Sequence, residues 1–180
     1  KPEVMRTLGN KVAARVAAVA AGVPVVPATD ALSVDPAEAR RQALAVGYPL
    51  MLKASWGGGG RGMRVVEAES DLDEQLAAGR REALAAFGND EMYLEKLVRR
   101  ARHVEVQVLG DTHGQLIHLF ERDCSVQRRN QKVVERAPAP YLDSATRAEL
   151  CGNALKLCRQ VNYTHAGTVE FLMDVDSGRY

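Results

Sequence analysis

A run of glycines, two lysines beside it and a glutamate in mid-strand are the residues through which this chain can do chemistry. Ser55-Trp56-Gly57-Gly58-Gly59-Gly60-Arg61 places four consecutive glycines where backbone N–H groups can approach phosphate oxygens with no Cβ in the way. A Walker loop or a dinucleotide fingerprint leads from strand into helix, so that a helix N-terminus meets the phosphate. Here Arg64-Val65-Val66 continues as strand, so the loop is the tip of a hairpin. That pattern suits a flexible flap over phosphates, and also a plain flexible turn.

Lysine usage bears on the choice. Only six of the 24 basic residues are lysine, yet Lys53 ends the strand that feeds the loop and Lys11 opens a helix. A cation at a helix N-terminus opposes the positive end of the macrodipole, and an anion placed there would relieve the conflict. Glu170 sits between Val169 and Phe171, where a carboxylate needs a partner or a metal. The stretch 122–132 gathers Arg122, Arg128, Arg129 and Lys132 with the amides Gln127 and Asn130, and reads as an anion site. Glu95-Lys96-Leu97-Val98 reads either as a segment whose backbone meets an adenine edge or as an amphipathic strand. His103, alternating with core valines, reads by itself as a surface residue.

The elements that must position these groups follow from caps and periods. Asn10 caps a helix over residues 11–21, stopped by Gly22 and Pro24; Asp35-Pro36 opens a second to Val46, with Gly47 beyond. Residues 49–54 and 62–67 read as strands flanking the glycines. Ser70 is expected to cap a helix to Phe87, and residues 91–98 return as strand. This first unit is expected to close around Leu52, Val65 and Leu76. From Arg102 the period becomes two, with Val104, Val106 and Val108 on one face and His103, Glu105 and Gln107 on the other. Residues 111–114 turn, 116–120 return, 131–135 form a short strand, 143–160 a helix, and 167–175 a strong strand. The turn Asp176-Ser177-Gly178 lacks its second strand, so the chain is expected to be a piece of a longer polypeptide.

Composition narrows the class. Of 180 residues 46% are hydrophobic and 26% charged, with a net charge of +1 and aromatic residues at 5%. A near-neutral, aromatic-poor chain offers neither the field nor the stacking platform of a nucleic-acid binder. No apolar run approaches the ~20 residues of a membrane span, and no leader pattern is present, so a cytoplasmic protein is expected. Cys124, Cys151 and Cys158 form no C-x-x-C pair; the last two, seven apart on a helix, are expected in a reduced core.

Taken in order, these motifs resemble the ATP-grasp biotin carboxylases over nearly the whole chain. The matching segments are Gly9-Asn10-Lys11-Val12-Ala13, Lys53-Ala54-Ser55 with the glycine loop and Arg61-Gly62-Met63, Glu95-Lys96, and Arg102-His103-Val104-Glu105. Residues 121–135, Ala137-Pro138-Ala139-Pro140 and Ala166-Gly167-Thr168-Val169-Glu170-Phe171 complete the match. The wording around residues 110–114 and 120–125 is most similar to the pyruvate carboxylase branch.

The resemblance implies an α/β, mostly antiparallel ATP-grasp fold: a connecting helical segment over 1–25, a lid over 26–97 and an incomplete second lobe over 98–180. It implies that Lys11 and Lys53 bind ATP phosphates and that Gly59 and Gly60 close over them. Glu95, Lys96, Leu97 and Val98 would be the adenine hinge, His103 would lie near the ribose, and Gln127 would help hold the nucleotide. Lys132 would hold bicarbonate and Glu170 would bridge Mg2+ or Mn2+. Asn130 departs from the histidine found there in many family members, which puts a direct ring contact in doubt. The implied reaction is attack of bicarbonate on MgATP to give carboxyphosphate, then carboxylation of biotin carried on a domain outside this chain, within a homo-oligomeric parent. The 180 residues alone are expected to be inactive. An acyl-CoA carboxylase, another ATP-grasp ligase or a non-catalytic nucleotide-binding module are the alternatives.

Overall fold

Residues 1–180 are described by a computed structural model. Helices α1 (Pro2–Gly9), α2 (Lys11–Ala20) and α3 (Pro36–Val46) precede strands β1 (Leu50–Ala54) and β2 (Arg64–Val66). Helix α4 (Leu72–Phe87) and strands β3 (Met92–Lys96), β4 (Ala101–Gly110), β5 (Leu116–Arg128) and β6 (Gln131–Arg136) follow, then α5 (Ser144–Gln160) and β7 (His165–Asp174). The chain forms two compact units: residues 8–14 with 26–98, and residues 1–7 and 15–25 with 99–180. No helix is long and apolar enough to cross a membrane.

In the first unit, an antiparallel sheet of order β2-β1-β3 is backed by α4. Strand β1 alternates as its sequence demands: Leu50, Leu52 and Ala54 are buried, while Met51 and Lys53 lie on the other face. With Val66, Leu72, Ala83, Met92 and Leu94 they form the core, each large side chain contributing ~1.5–3 kcal/mol on burial. Two expectations need correction. Val66, not Val65, enters this core; Val65 is 41% exposed, because β2 pairs Leu50 with Val66 and so sets the opposite parity. Ser70 does not cap α4; it lies in a 3-10 turn, Glu69–Asp71, and α4 starts at Leu72. The caps of α2 and α3 are as read: Asn10 Oδ1 accepts from Ala13 N and Asp35 Oδ1 from Ala37 N.

The second unit is a four-stranded antiparallel sheet, β6-β5-β4-β7, with α5 against one face. Val104, Val106, Val108, Phe171 and Met173 meet Leu150, Cys151, Ala154 and Cys158 of α5, so the two helical cysteines share the buried face. All three thiols are unpaired and buried. Strand β5 runs eight residues further than the expected end at Phe120. The reason is a β-bulge. His118 stands opposite Val108 and Glu121 opposite Val106, so Leu119 and Phe120 together face Gln107, with Phe120 at φ 61°. An extra residue reverses which face each later side chain takes. Arg122 therefore stands opposite Glu105 on the open face, and Glu121 turns into the core.

Candidate functional site

Within the first unit, the start of α2, the end of β1 and β3 bring three charged groups together. Lys11 N–H donates to Ser55 O at 2.9 Å, so α2 begins where β1 ends. Lys11 Nζ donates to Ala54 O at 3.1 Å and to Gly57 O at 2.5 Å, fastening the glycine loop to the helix. Lys53 Nζ pairs with Glu95 Oε2, and Glu95 Oε1 accepts from Tyr93 Oη at 2.6 Å. Cross-strand pairing of Lys53 with Tyr93 and of Met51 with Glu95 puts all of them on the face away from the core. Burial and the nearby Lys53 ammonium together lower the Lys11 pKa. Two neighbouring cations, one paired with Glu95 and the other on backbone carbonyls, form in this half-buried setting a surplus that an anion would neutralise.

The glycines themselves behave differently. Gly57, Gly59 and Gly60 have positive φ, and a Cβ on Gly57 would lie 2.3 Å from the Phe87 ring, whereas nothing lies within 4 Å of one on Gly59. Residues 57–59 are exposed. In the hinge segment, Lys96 N donates to Pro27 O and Leu97 N to Pro49 O, while Lys96 Nζ donates to the carbonyls of Gly47 and Tyr48. Those two backbone donors are therefore spent inside the unit, so the N–H groups of Lys96 and Leu97 cannot read a base; what the segment offers is its carbonyls and Val98.

Within the second unit, the open face of the sheet carries a connected ionic network. Glu105 and Glu170 are register partners across β4 and β7. Lys132 Nζ from β6 pairs with Glu105 Oε2 and reaches Glu170 Oε1 at 3.3 Å. Glu170 Oε1 also receives His103 Nδ1 at 3.2 Å. Arg122 donates through Nε (3.0 Å) and Nη2 (2.5 Å) to Glu105 Oε1, and through Nη1 to Gln107 Oε1 at 3.0 Å.

The electrostatics follow. Burial works against ionised Glu105, but bonds from Lys132 and Arg122 prevail and lower its pKa. The His103 bond, against burial and with help from Lys132, brings Glu170 down to about 2. Burial opposes the Lys132 charge, yet Glu105 and Glu170 raise its pKa. Glu105, Cys124 and Glu135 also place ligand atoms within 4.8 Å of one another. Burial, then Glu105, pushes the Cys124 thiol to about 11, and Glu105 is already held by Lys132 and Arg122. Glu170 suits a hard cation better: it stays ionised, and both of its protein partners sit on Oε1.

Gln127 lies on β5 opposite Lys132, but its amide donates to Cys124 O at 3.0 Å. Asn130 is exposed at the β5–β6 turn with φ 62°, beside Arg129 at φ 51°. A two-residue hairpin turn of that hand favours asparagine, which accounts for the residue without a ligand. Arg122 stood in the sequence as one cation of the 122–132 cluster, with nothing to mark it as the partner of Glu105, and the trace of Gln107 was alternation on the polar face of β4.

Residues 10–180 match the family described as carbamoyl-phosphate synthase L chain, ATP binding domain. The chain belongs to this family. It is an ATP-grasp domain of the biotin carboxylase type, 52% identical over 179 residues to human mitochondrial pyruvate carboxylase, covering 99% of this chain and 15% of that protein. The solved Rhizobium etli pyruvate carboxylase with acetyl coenzyme A superposes with TM-score 0.93 at 66% identity, over 99% of this chain and 15% of that one. The biotin carboxylase domain of Hydrogenobacter thermophilus 2-oxoglutarate carboxylase, solved with MgADP, ADP and bicarbonate, gives TM-score 0.93 at 43% identity, over 99% and 39%. The ATP-grasp domain described here thus spans a minor part of each relative's length.

Proposed function

We propose that this chain is the ATP-binding part of a biotin carboxylase within a pyruvate carboxylase, using MgATP and bicarbonate to form carboxyphosphate and to carboxylate biotin. The observation that carries the reading is the cation surplus at the glycine loop, where Lys53 pairs with Glu95 and the Lys11 ammonium rests on the Ala54 and Gly57 carbonyls. Triphosphate oxygens are the ligand that such a surplus beside flexible backbone N–H groups suits.

In this reading Lys11 and Lys53 hold the phosphates, Gly59 and Gly60 close over them, and Glu95 to Val98 border the base. His103 and Gln127 contribute to nucleotide binding through the groups their own bonds leave over, and Asn130 does so only from an exposed turn. Lys132 draws bicarbonate, its charge secured by two carboxylates. Glu170 is a metal ligand; Mg2+ or Mn2+ there supplies charge neutralisation for phosphoryl transfer. Biotin, brought by a carrier domain, supplies the nitrogen that takes the carboxyl group. Residues 26–97 act as lid, 98–180 as part of the second lobe and 1–25 as the helical connection; the compact unit that joins 26–98 with 8–14 supports the first of these, and the division of 1–25 between the two units suits a connection. The parent is a cytoplasmic homo-oligomer, consistent with three unpaired buried thiols.

The test is ADP release by the complete enzyme with free biotin, with and without bicarbonate, followed by carboxyl transfer to pyruvate against an acyl-CoA. Release that requires bicarbonate, with transfer to pyruvate, is expected. Release indifferent to bicarbonate overturns the reading, and transfer to an acyl-CoA overturns its pyruvate part.

A further inference from the structure

Gln107 is the residue that the β5 bulge faces, and neither end of its side-chain amide is idle. Oε1 accepts from Arg122 Nη1 at 3.0 Å, and Nε2 donates to Gly167 O of β7 at 2.9 Å and to Val108 O at 3.3 Å. A guanidinium only donates and a backbone carbonyl only accepts, so a group bridging them must accept at one end and donate at the other. At this reach only glutamine does so without charge; glutamate would set an acceptor against Gly167 O, and lysine a cation against Arg122.

The bridge continues through shared atoms. Arg122 places Nε and Nη2 on Glu105 Oε1, and Glu105 places Oε2 on Lys132. Arg122 has one competing partner, Glu135 Oε2 on β6, 3.4 Å from Nε and 44% exposed. Without a hold on Nη1, only the bonds to Glu105 keep the guanidinium from turning toward Glu135. Glu105 then keeps Lys132 as its only cation, and Lys132 is drawn from its position shared with Glu170, 3.3 Å away.

We propose that Gln107 is a positioning residue: by pinning Arg122 to the backbone of β7 it keeps that guanidinium on Glu105, and so sets where Lys132 presents its ammonium to bicarbonate. This rests on the reading of Lys132 given above. Gln107 touches no reactant in this scheme.

The test compares wild-type complete enzyme with Gln107→Met, which nearly conserves shape and removes both bonds. The readouts are the bicarbonate and ATP KM values in bicarbonate-dependent ATP cleavage, and a crystal structure of the variant. The expected result is a bicarbonate KM raised about 10-fold, in keeping with loss of a charge-assisted hydrogen bond, an ATP KM changed less than 2-fold, and Arg122 turned from Glu105 toward Glu135. Equal changes in both KM values, or Arg122 still on Glu105, overturn the proposal. Gln107→Leu, smaller and likewise unable to make either bond, carries the same two readouts if the methionine variant does not fold. If wild-type ATP cleavage ignores bicarbonate, the functional reading falls. The variant structure still decides whether Gln107 holds Arg122.

Discussion

Glu105 and Glu170 are register partners on adjacent strands, and Lys132 stands between their carboxylates from a third strand. Two like charges opposite each other in a sheet repel; here Arg122 pairs with Glu105, His103 Nδ1 bonds to Glu170, and Lys132 is common to both carboxylates. The sheet thereby holds an ammonium in one place by balanced attraction.

If Lys53 holds phosphate as proposed, Lys53→Gln in the complete enzyme should weaken nucleotide binding or turnover about 10-fold or more, since charge-assisted hydrogen bonds contribute roughly 1.5–3 kcal/mol. Lys156, exposed on α5 and bonded only to Asn153 Oδ1, is the control, and Lys156→Gln should leave both unchanged. Nucleotide titration of the two variants checks this, and equal effects would show that Lys53 is ordinary surface charge.

The glycine loop should prove sensitive at its first position and tolerant at its second. Gly57 has φ +82° and its Cβ would fall within 2.6 Å of three Phe87 ring atoms, while Gly58 meets nothing within 4 Å. Gly57→Ala should cost about 1–3 kcal/mol through strain and overpacking, and Gly58→Ala about 0.5 kcal/mol or less. Urea unfolding of both variants measures the difference.

Acid should find the Glu170 bond network. Its carboxyl is lowered from the ordinary 4.5 to about 2, chiefly by His103 and against burial, with Lys132 assisting. A depressed carboxylate contributes stability above its unfolded pKa and loses it as pH falls through the folded one. The wild type should therefore lose more stability between pH 4.5 and 2 than Glu170→Gln does, with Glu105 adding a fall of the same sign in both. Parallel stability curves for the two proteins would refute it.

On the core side of β5, Glu121 is fully buried and accepts from Ala139 N at 3.0 Å and Arg147 Nε at 2.9 Å. Arg147→Met should leave a buried charge without its cation and cost about 3–5 kcal/mol, and replacing both partners with apolar residues should recover part of that. A double-mutant cycle by thermal unfolding is the measurement; a double variant less stable than Arg147→Met would contradict the account.

Much of the local structure was legible in the chain. Helices α2 and α3 announce their starts through Asn10 and Asp35, because a short polar side chain ahead of an apolar period satisfies free backbone donors. The valines of β4 and the cysteines of α5 declared their buried faces by spacing alone. The residues that hold charge were visible as types: Lys11 and Glu170 stood where a lone charge is costly, Lys53 stood beside the glycine loop and Lys132 in a cluster of cations.

What only the tertiary structure decided is which charge meets which. Strand pairing has a period of two, so one residue of slip exchanges every side chain between faces. Val65 and Val66 traded places on that account, and the bulge at Leu119-Phe120 did the same for Glu121 and Arg122. In a uniform ladder Glu121 would face Glu105; with the extra residue Arg122 does, and the glutamate goes to Arg147 in the core. No cap, period or composition marks that bulge. Its backbone strain at Phe120 is held by pairing on either side, and those contacts exist only once the strands have met.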